Sequence, residues 1–416
     1  MILKDAQRYA ACVCQSDETF FLTNGSSCGI LSAIFSATKQ GGEMIMARNS
    51  HKAVYYGAEL RQLKTHYLYP EMLEEGILGS VTLEMVEEAF EKHPDAKTLI
   101  LTSPTFDGVV SDVRSIVKLA HSKGVTVIVD EAHGGHFLKE SGFPKSSIRH
   151  GADVVVQSIR KMLPAMKQTG LLHVHQDYKY KENLKKYLAM FQSPNPSEVL
   201  IDSIDHAMHW YLEEGRESFA KYLENIQKLR FVLEDKLKHL KVFLPEDVYD
   251  YDFSKTLIST RNSNISGEQL KKNLENNYGV LSEVVSLNCV LLLTSATDKE
   301  EYFRKILDGL LEIDDSLEKP LVLNQLKNEM TRPKAALSIG EAIEKHKKAV
   351  PLLESMGELS AVYIYIYPMG IPLLTPGEKI SERCVRSIQY YLEEGWEIHG
   401  LTKEREIEVV WEEFFT

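Results

Sequence analysis

Cysteine is scarce in this sequence, and the few cysteines follow neither a disulfide pattern nor a metal-binding pattern. There are five in 416 residues, and an odd number in a long chain favours reduced thiols over a disulfide framework. Cys12 and Cys14 are one residue apart, not two as in a zinc knuckle, and no matching pair follows downstream. We therefore expect these side chains to serve packing.

Long apolar runs and an excess of basic residues are also missing. No stretch approaches the roughly 20 apolar residues of a membrane span, and the opening MILKDAQRYAACVCQ lacks the basic start, apolar middle and cleavage site of a signal peptide. A net charge of -12 disfavours nucleic acid and acidic membranes as partners, but it is compatible with small cationic substrates. We expect a cytoplasmic protein.

Nucleotide-binding motifs are absent as well, because the sequence contains neither GxxxxGK[ST] nor GxGxxG. An anion site is nevertheless predicted where the strand Thr19 to Thr23 leads through Asn24-Gly25-Ser26-Ser27-Cys28-Gly29 into an apolar-periodic helix. Free backbone N–H groups and the positive end of the helix dipole meet at that point. The hydroxyls of Ser26 and Ser27 would add donors. The alternative is that serine simply caps the helix.

Three further strands are followed by side chains that can do chemistry. His51, Asp130 and Lys161 each stand at or just beyond the carboxyl end of a short apolar strand. Open α/β sheets bind their ligands at this edge. Arg160 stands next to Lys161, and a neighbouring positive charge disfavours the ammonium form, which would make the lysine a better nucleophile.

Asp130 requires a partner, because a carboxylate at the end of an apolar strand is costly to bury alone. One candidate is a divalent metal held by Asp130, His133 and His136. The intervening glycines do not give the i, i+4 spacing of a helical zinc motif, so we expect no metal. The other candidate is a protonated heterocyclic nitrogen, which a buried carboxylate keeps charged.

One cofactor, pyridoxal 5′-phosphate, uses all four strand ends. It has a phosphate for the helix start, a flat ring for His51 to stack on, a ring nitrogen for Asp130 and an aldehyde for Lys161. Ala132, two residues after Asp130, would close the opposite face of the ring. Ser158, three residues before Lys161, would give the phosphate another hydroxyl.

The order of the predicted elements describes an α/β protein in three parts. Strands alternate with helices to about residue 175, which predicts a mostly parallel sheet covered on both faces. We expect a large cofactor-binding domain with a long connecting helix at 1–238, a small α+β domain at 239–320 and a C-terminal α+β domain at 321–416.

Together the motifs resemble those of the ornithine/lysine/arginine decarboxylases, a family of aminotransferase-like fold (fold type I), and especially its short bacterial forms. The order and spacing match over most of the chain. The segments that carry the resemblance are Asn24-Gly25-Ser26-Ser27-x-Gly29, Arg48-Asn49-x-His51-Lys52, Thr102-x-Pro104-Thr105-x-x-Gly108, Asp130-Glu131-Ala132-His133-Gly134, Ser158-x-x-Lys161-x-Leu163-Pro164-Ala165 and Tyr367-Pro368-x-Gly370-Ile371-Pro372 with Pro376-Gly377-Glu378.

The resemblance implies decarboxylation of arginine, lysine or ornithine in a homodimer with its active site at the subunit interface. Lys161 would bind the cofactor aldehyde and Asp130 its ring nitrogen. His133 would lie near the reacting atoms, or else only orient Asp130. Glu378 would bind the cationic end of the substrate, and residues 193–197 would reach the phosphate in a neighbouring subunit. The implied cofactor-binding residues are Ser26, Ser27, Cys28, His51, Asp130, Ala132, Ser158, Arg160 and Lys161.

Two departures from the family pattern open alternatives. Arg160 stands where members usually have histidine, and arginine keeps a donor near the phosphate but does not exchange a proton at neutral pH. The family's further N-terminal segment, with a Pro-Gly-His-Lys element, has no counterpart here. Another subunit would then supply the function of that segment, or the reaction would differ, or activity would be lost. The alternatives are an oxidative deaminase or aminotransferase, and a catalytically silent paralogue that binds an active partner.

Overall fold

The computed structural model describes residues 2–319, 331–366, 371–393 and 395–411. Its α-helices are α1 (Ile2–Cys14), α2 (Gly25–Ala37), α3 (Lys52–Leu60), α4 (Leu83–Lys92), α5 (Val113–Ser122), α6 (Lys181–Phe191), α7 (Glu198–Trp210), α8 (Arg216–Lys236), α9 (Gly267–Asn273), α10 (Glu300–Asp315), α11 (Ile339–Ile343) and α12 (Glu382–Glu393). Its strands are β1 (Glu18–Leu22), β2 (Glu43–Ala47), β3 (Lys64–Leu68), β4 (Thr98–Thr102), β5 (Val109–Val110), β6 (Thr126–Asp130), β7 (Val154–Gln157), β8 (Gly170–Val174), β9 (Lys241–Val242), β10 (Asp250–Tyr251), β11 (Lys255–Ser259), β12 (Val284–Val285), β13 (Cys289–Leu293), β14 (His346–Pro351), β15 (Ile364–Ile366), β16 (Pro372–Leu374), β17 (Ile398–His399) and β18 (Glu406–Trp411).

A seven-stranded sheet organises the first part of the chain, in the order β1-β8-β7-β6-β4-β2-β3. Strands β7, β6, β4, β2 and β3 run parallel to one another. Strand β8 pairs antiparallel with both β7 and β1, so it alone is reversed. The predicted mostly parallel sheet is confirmed.

The strands of this sheet are apolar on both faces because helices cover both faces. In β6, Ile128 packs in the cluster that includes α2 and α3, whereas Val127 and Val129 pack in the cluster that includes α4 and α5. Burying each such side chain contributes roughly 1.5–3 kcal/mol. The edge of the sheet at the carboxyl ends of the strands is therefore held rigidly.

Two further groups of elements follow the large sheet. The first is a four-stranded antiparallel sheet, β12-β13-β11-β9, whose core includes side chains of α8, α9 and α10. In the second group, β14 pairs with β18, and β15 pairs with both β16 and β17. The core of this group includes side chains of α12. Within the described ranges, no helix is both long enough and apolar enough to cross a membrane.

Candidate active site

The parallel strands of the large sheet bring the predicted residues to one edge. A cavity of about 410 Å³ opens there. Those of the predicted residues that line it are Ser26, Ser27, His51, Asp130, Ala132, His133, Ser158, Arg160 and Lys161. Residues that follow β1, β2, β6 and β7 thus meet in one place, as expected for the carboxyl ends of strands in an open sheet.

Lys161 ends a short 3-10 turn, Ile159–Lys161, directly after β7. Its Nζ lies 2.5 Å from Nε2 of His133. Burial lowers the pKa of Lys161 to about 8, Asp130 opposes this shift, and Arg160 lowers the pKa further. Desolvation is thus the main cause of the lowered pKa. The neighbouring Arg160 guanidinium, expected from the sequence to be the cause, contributes less, and its side chain is exposed. At physiological pH a pKa of about 8 leaves roughly one fifth of the amine neutral, a much larger fraction than for a surface lysine.

Asp130 is the last residue of β6, and its side chain is buried. Its Oδ1 accepts a hydrogen bond from the backbone N–H of Ala132 at 3.1 Å. Burial raises the pKa of Asp130, whereas His51, the Ala132 N–H and Lys161 counteract the rise. A ligand cation beside this carboxylate would favour its ionised form.

His133 lies in the turn after β6 and is buried against Phe106, whose ring meets the imidazole edge-on at a centroid distance of 5.0 Å. Burial, together with the charges of Lys161 and Lys255, lowers the pKa of His133 well below its usual range. The ring is therefore neutral at physiological pH. A neutral imidazole nitrogen accepts a hydrogen bond, which fits the close approach of Lys161.

The anion end of the cavity is the start of α2. The N-cap is Asn24, and its side chain makes no capping hydrogen bond. The Gly25 N–H donates to the Gln168 backbone oxygen at 2.8 Å. The next N–H groups, those of Ser26 and Ser27, receive no cap from Asn24 and face the cavity end of the helix. Gly25 has φ +78°, a left-handed conformation that glycine adopts without steric cost.

His51 caps the next helix, because its Nδ1 accepts a hydrogen bond from the Ala53 N–H at 3.2 Å. The residue is exposed, and it lines the cavity. The part of the residue that lines the cavity is desolvated, which lowers the pKa of His51, and Asp130 partly offsets this effect. A neutral ring is thereby fixed at one wall of the cavity.

Two predicted residues do not line the cavity. Cys28 is buried, and its thiol donates to the backbone oxygen of Gly25 at 3.0 Å. Glu378 is fully buried and accepts two hydrogen bonds from Arg48, at 2.7 and 3.0 Å, and a third from the Thr375 N–H at 2.8 Å. Its carboxylate is thus engaged by the protein itself.

Three other sequence predictions fall elsewhere. Ser193, Pro194 and Pro196 line a separate surface groove beside Phe20 and Phe21, and the contact of segment 193–197 with a neighbouring subunit stays a prediction. His136 donates from Nε2 to Asp252 at 3.0 Å, so it does not converge with Asp130 and His133. The motif at residues 367–370 lies outside the described residues.

Asp107 is a cavity residue that the sequence argument did not single out. It lines this cavity and also an adjoining one of about 330 Å³, which shares Leu78 and Ile371 with the first. Burial raises the pKa of Asp107 to about 6, and within the described ranges no ion pair involves it. Its place in the turn after β4, at the same sheet edge, was the available signal.

Comparison with solved structures gives the class of fold. The lysine decarboxylase LdcF of Francisella novicida superposes with a TM-score of 0.81 at 19% identity, over 98% of this chain and 72% of that chain. The alanine–glyoxylate aminotransferase of Nostoc sp. superposes with a TM-score of 0.61 at 15% identity, over 75% of this chain and 86% of that chain. The fold is therefore the aminotransferase-like fold type I, as predicted.

Sequence comparison gives the family. The profile described as "Orn/Lys/Arg decarboxylase, major domain" matches residues 2–265, and "Orn/Lys/Arg decarboxylase, C-terminal domain" matches residues 317–404. The arginine decarboxylase of Bacillus subtilis is 29% identical over 411 residues, which cover 96% of this chain and 83% of that relative. The chain belongs to the Orn/Lys/Arg decarboxylase family.

Proposed function

We propose that this protein catalyses the pyridoxal-phosphate-dependent decarboxylation of a basic amino acid, releasing carbon dioxide and the corresponding amine. One observation carries the proposal. In a member of this family, a lysine with a lowered pKa, a buried aspartate and a helix start with available N–H groups line the same cavity. The deaminase or aminotransferase and the silent paralogue have no comparable support.

The cavity fits the cofactor in chemistry. The start of α2 and the hydroxyls of Ser26, Ser27 and Ser158 would hold the phosphate, with the Arg160 guanidinium nearby. His51 and Ala132 would flank the ring. Two buried lining atoms of the described structure, Asn49 Oδ1 and Thr102 Oγ1, have no hydrogen-bond partner in the protein. Buried polar atoms without partners at a cavity are what a polar ligand would satisfy.

The protein's own groups then have distinct roles. When bound, pyridoxal phosphate supplies the electron sink that allows the bond between the α-carbon and the carboxylate to break. Asp130 would keep the ring nitrogen protonated, since a carboxylate stabilises a neighbouring cation. Lys161, with its pKa lowered to about 8, would supply the amine that binds the aldehyde.

His133 is a proton-exchanging group in direct contact with that amine. Its Nε2 is 2.5 Å from Lys161 Nζ, which is within reach for holding or returning a proton. Arg160 has no such capacity at neutral pH. Members of the family usually have histidine where this chain has Arg160. We assign the acid–base role of that histidine to Lys161 and His133 together.

Asp107 would bind the cationic end of the substrate. Asp107 is half-buried, and its raised pKa of about 6 leaves it ionised at neutral pH. A carboxylate that has lost part of its hydration is costly to ionise without a counter-charge. A guanidinium or ammonium group would compensate it. Glu378, predicted for this role from the sequence, is engaged by Arg48 in the structure. Asp107 is therefore our proposed substrate contact.

We also propose that the working unit is a homodimer. Met190 and Val199, which precede and follow the segment 193–197 in the sequence, are each 60% exposed. A contiguous exposed apolar patch marks an interaction surface, and the proposal places these two side chains in one. Light scattering of the purified chain should give twice the chain mass. A fully active monomer would contradict this part of the proposal.

The function is tested by product analysis. The purified chain is incubated with pyridoxal phosphate and with L-arginine, L-lysine or L-ornithine, and carbon dioxide and amine are quantified. Arginine is the first substrate to examine, because the Bacillus subtilis relative is named an arginine decarboxylase. We expect equal amounts of the two products from at least one amino acid and none with Lys161→Ala. A 2-oxo acid, or no product from any of the three, would refute the proposal.

A further inference from the structure

A cluster of charged and polar side chains lies behind the wall of the cavity. Asp252, Lys255 and His136 are each 0% exposed. Asp252 accepts a hydrogen bond from His136 Nε2 at 3.0 Å through Oδ1, and it accepts one from the Lys255 ammonium through Oδ2. Ions are rarely buried to this degree unless they are fully paired. All three residues lie within the described ranges.

Lys255 connects this cluster to the candidate active site. An ammonium group has three protons to donate. Besides Asp252, its acceptors are Ser254 Oγ at 3.2 Å and the backbone oxygen of His133 at 3.1 Å. Lys255 begins β11 of the four-stranded sheet, whereas His133 follows β6 of the large sheet. One hydrogen bond thus ties the His133 turn to a different sheet.

We propose that Lys255 is a positioning residue for the reaction centre: its ammonium, held by Asp252, fixes the His133 backbone so that the imidazole stays against Lys161. The proposal deepens the proposed function and rests on it, because Lys161 is taken as the reactive lysine. His136 completes the arrangement by donating to the other carboxylate oxygen of Asp252.

The stability of the fold does not by itself require an ammonium at this position. Apolar side chains of similar volume are often as stabilising as a buried ion pair. The ammonium does two things that an apolar side chain does not: it donates to the His133 carbonyl, and it places a positive charge beside the imidazole. Both consequences act on the reaction centre.

The charge of Lys255 acts on both members of the contact between His133 and Lys161. A nearby positive charge disfavours the protonated form of a histidine or lysine. The charged and titratable groups that influence His133 are Lys161, Lys255, Asp252 and His51. After burial and Lys161, Lys255 lowers the pKa of His133, and Asp252 opposes it. Lys255 also contributes to the lowered pKa of Lys161.

The test uses the double variant Asp252→Asn/Lys255→Met. It removes both charges together, and the new amide can still accept a hydrogen bond from His136, so no unpaired ion is left buried. In the cofactor-free chain, the rate at which an acylating reagent modifies Lys161 is measured against pH by peptide mass spectrometry. We expect modification of Lys161 near pH 7.5 to fall by about two- to threefold, because the positive charge of Lys255, which helps to lower the pKa of Lys161, is no longer present. An unchanged pH profile in the folded double variant would overturn the proposal.

Two controls separate positioning from general effects. Asp315→Asn/Lys238→Met removes the same kind of pair, 2.7 Å apart, at an exposed site, and it should leave the Lys161 profile unchanged. If the first variant does not fold, Asp252→Asn/Lys255→Gln is measured in the same way and judged by the same criterion. Because neither cofactor nor substrate is present, the result stands even if the decarboxylation assay gives no product.

Discussion

At the scale of single residues, the lowered pKa of Lys161 predicts how cofactor capture depends on pH. Only the neutral amine attacks an aldehyde. With a pKa of about 8, the neutral fraction rises about tenfold per pH unit well below that value and levels off above about pH 9. The rate of covalent capture of pyridoxal phosphate, followed by absorbance, should show this profile. A rate that still rises above about pH 10, as for a surface lysine, would contradict it.

Asp107 provides a second prediction at this scale. Asp107→Asn should raise the KM for the basic amino acid about tenfold, which corresponds to about 1.4 kcal/mol of lost charge pairing, while kcat changes little. In the unsubstituted protein KM should also rise as the pH falls below about 6, because Asp107 becomes protonated there. The variant should lack that dependence.

Steady-state kinetics at several pH values measures both effects. Asp95→Asn, at an exposed position before β4, is the matched control and should behave like the unsubstituted protein. An Asp107→Asn variant with an unchanged KM would show that the substrate cation is bound elsewhere.

At the scale of elements, the helix α2 must lie close to the sheet for its start to form the anion end of the cavity. A Cβ added at Gly29 would lie 2.7 Å from Leu22 Cδ1 and 2.9 Å from Val156 Cγ1. Gly29→Ala should therefore displace the helix, lower the free energy of unfolding by about 1–3 kcal/mol and weaken cofactor binding. Urea denaturation and a cofactor titration measure the two effects.

Gly57→Ala is the matched control for this prediction. Its added Cβ would meet the terminal Cδ1 of Ile34 at 2.5 Å, and the end of a flexible side chain can move away. The Cγ1 of Val156, which faces Gly29, belongs to a stiff β-branched side chain and cannot move away in this manner. Alanine also favours a helix by about 0.5–1 kcal/mol over glycine, which offsets part of the clash. If Gly29→Ala is no more disruptive than Gly57→Ala, the close packing of α2 is not important for the site.

The residues at the strand ends could be predicted from the sequence, because the signal for each one lies in the residues directly before it. His51, Asp130 and Lys161 each follow an apolar strand, and parallel strands deliver such residues to one edge. Side-chain direction and long-range pairing are not local properties. Nothing near Glu378 indicates that it pairs with Arg48, 330 positions away, and nothing near Lys255 indicates that it donates to His133, 122 positions away.

At the scale of the whole molecule, the ion pair between Arg48 and Glu378 joins the large sheet to the C-terminal part of the chain. Both side chains are almost completely buried, at 1% and 0% exposure. Glu378→Gln would leave the guanidinium without its counter-charge, which should cost about 3–5 kcal/mol. Urea denaturation measures the loss.

Glu382→Gln is the control, because it removes an exposed partner of Arg386 and should change the free energy of unfolding by at most about 1 kcal/mol. Equal stability of Glu378→Gln and Glu382→Gln would contradict the importance of the buried pair. We propose that the chain divides into domains at 1–238, 239–320 and 321–416, with this pair as one of the contacts between the first and the last.

The central claim is that Lys161 holds pyridoxal phosphate in the cavity at the edge of the large sheet. The most direct test is to add the cofactor to the purified chain, reduce it with borohydride and locate the modified residue by peptide mass spectrometry. We predict the reduced cofactor on the peptide that contains Lys161, and less of it on the same peptide in Asp130→Ala at limiting cofactor. Modification of another lysine such as Lys167, or no stable modification, would contradict the account.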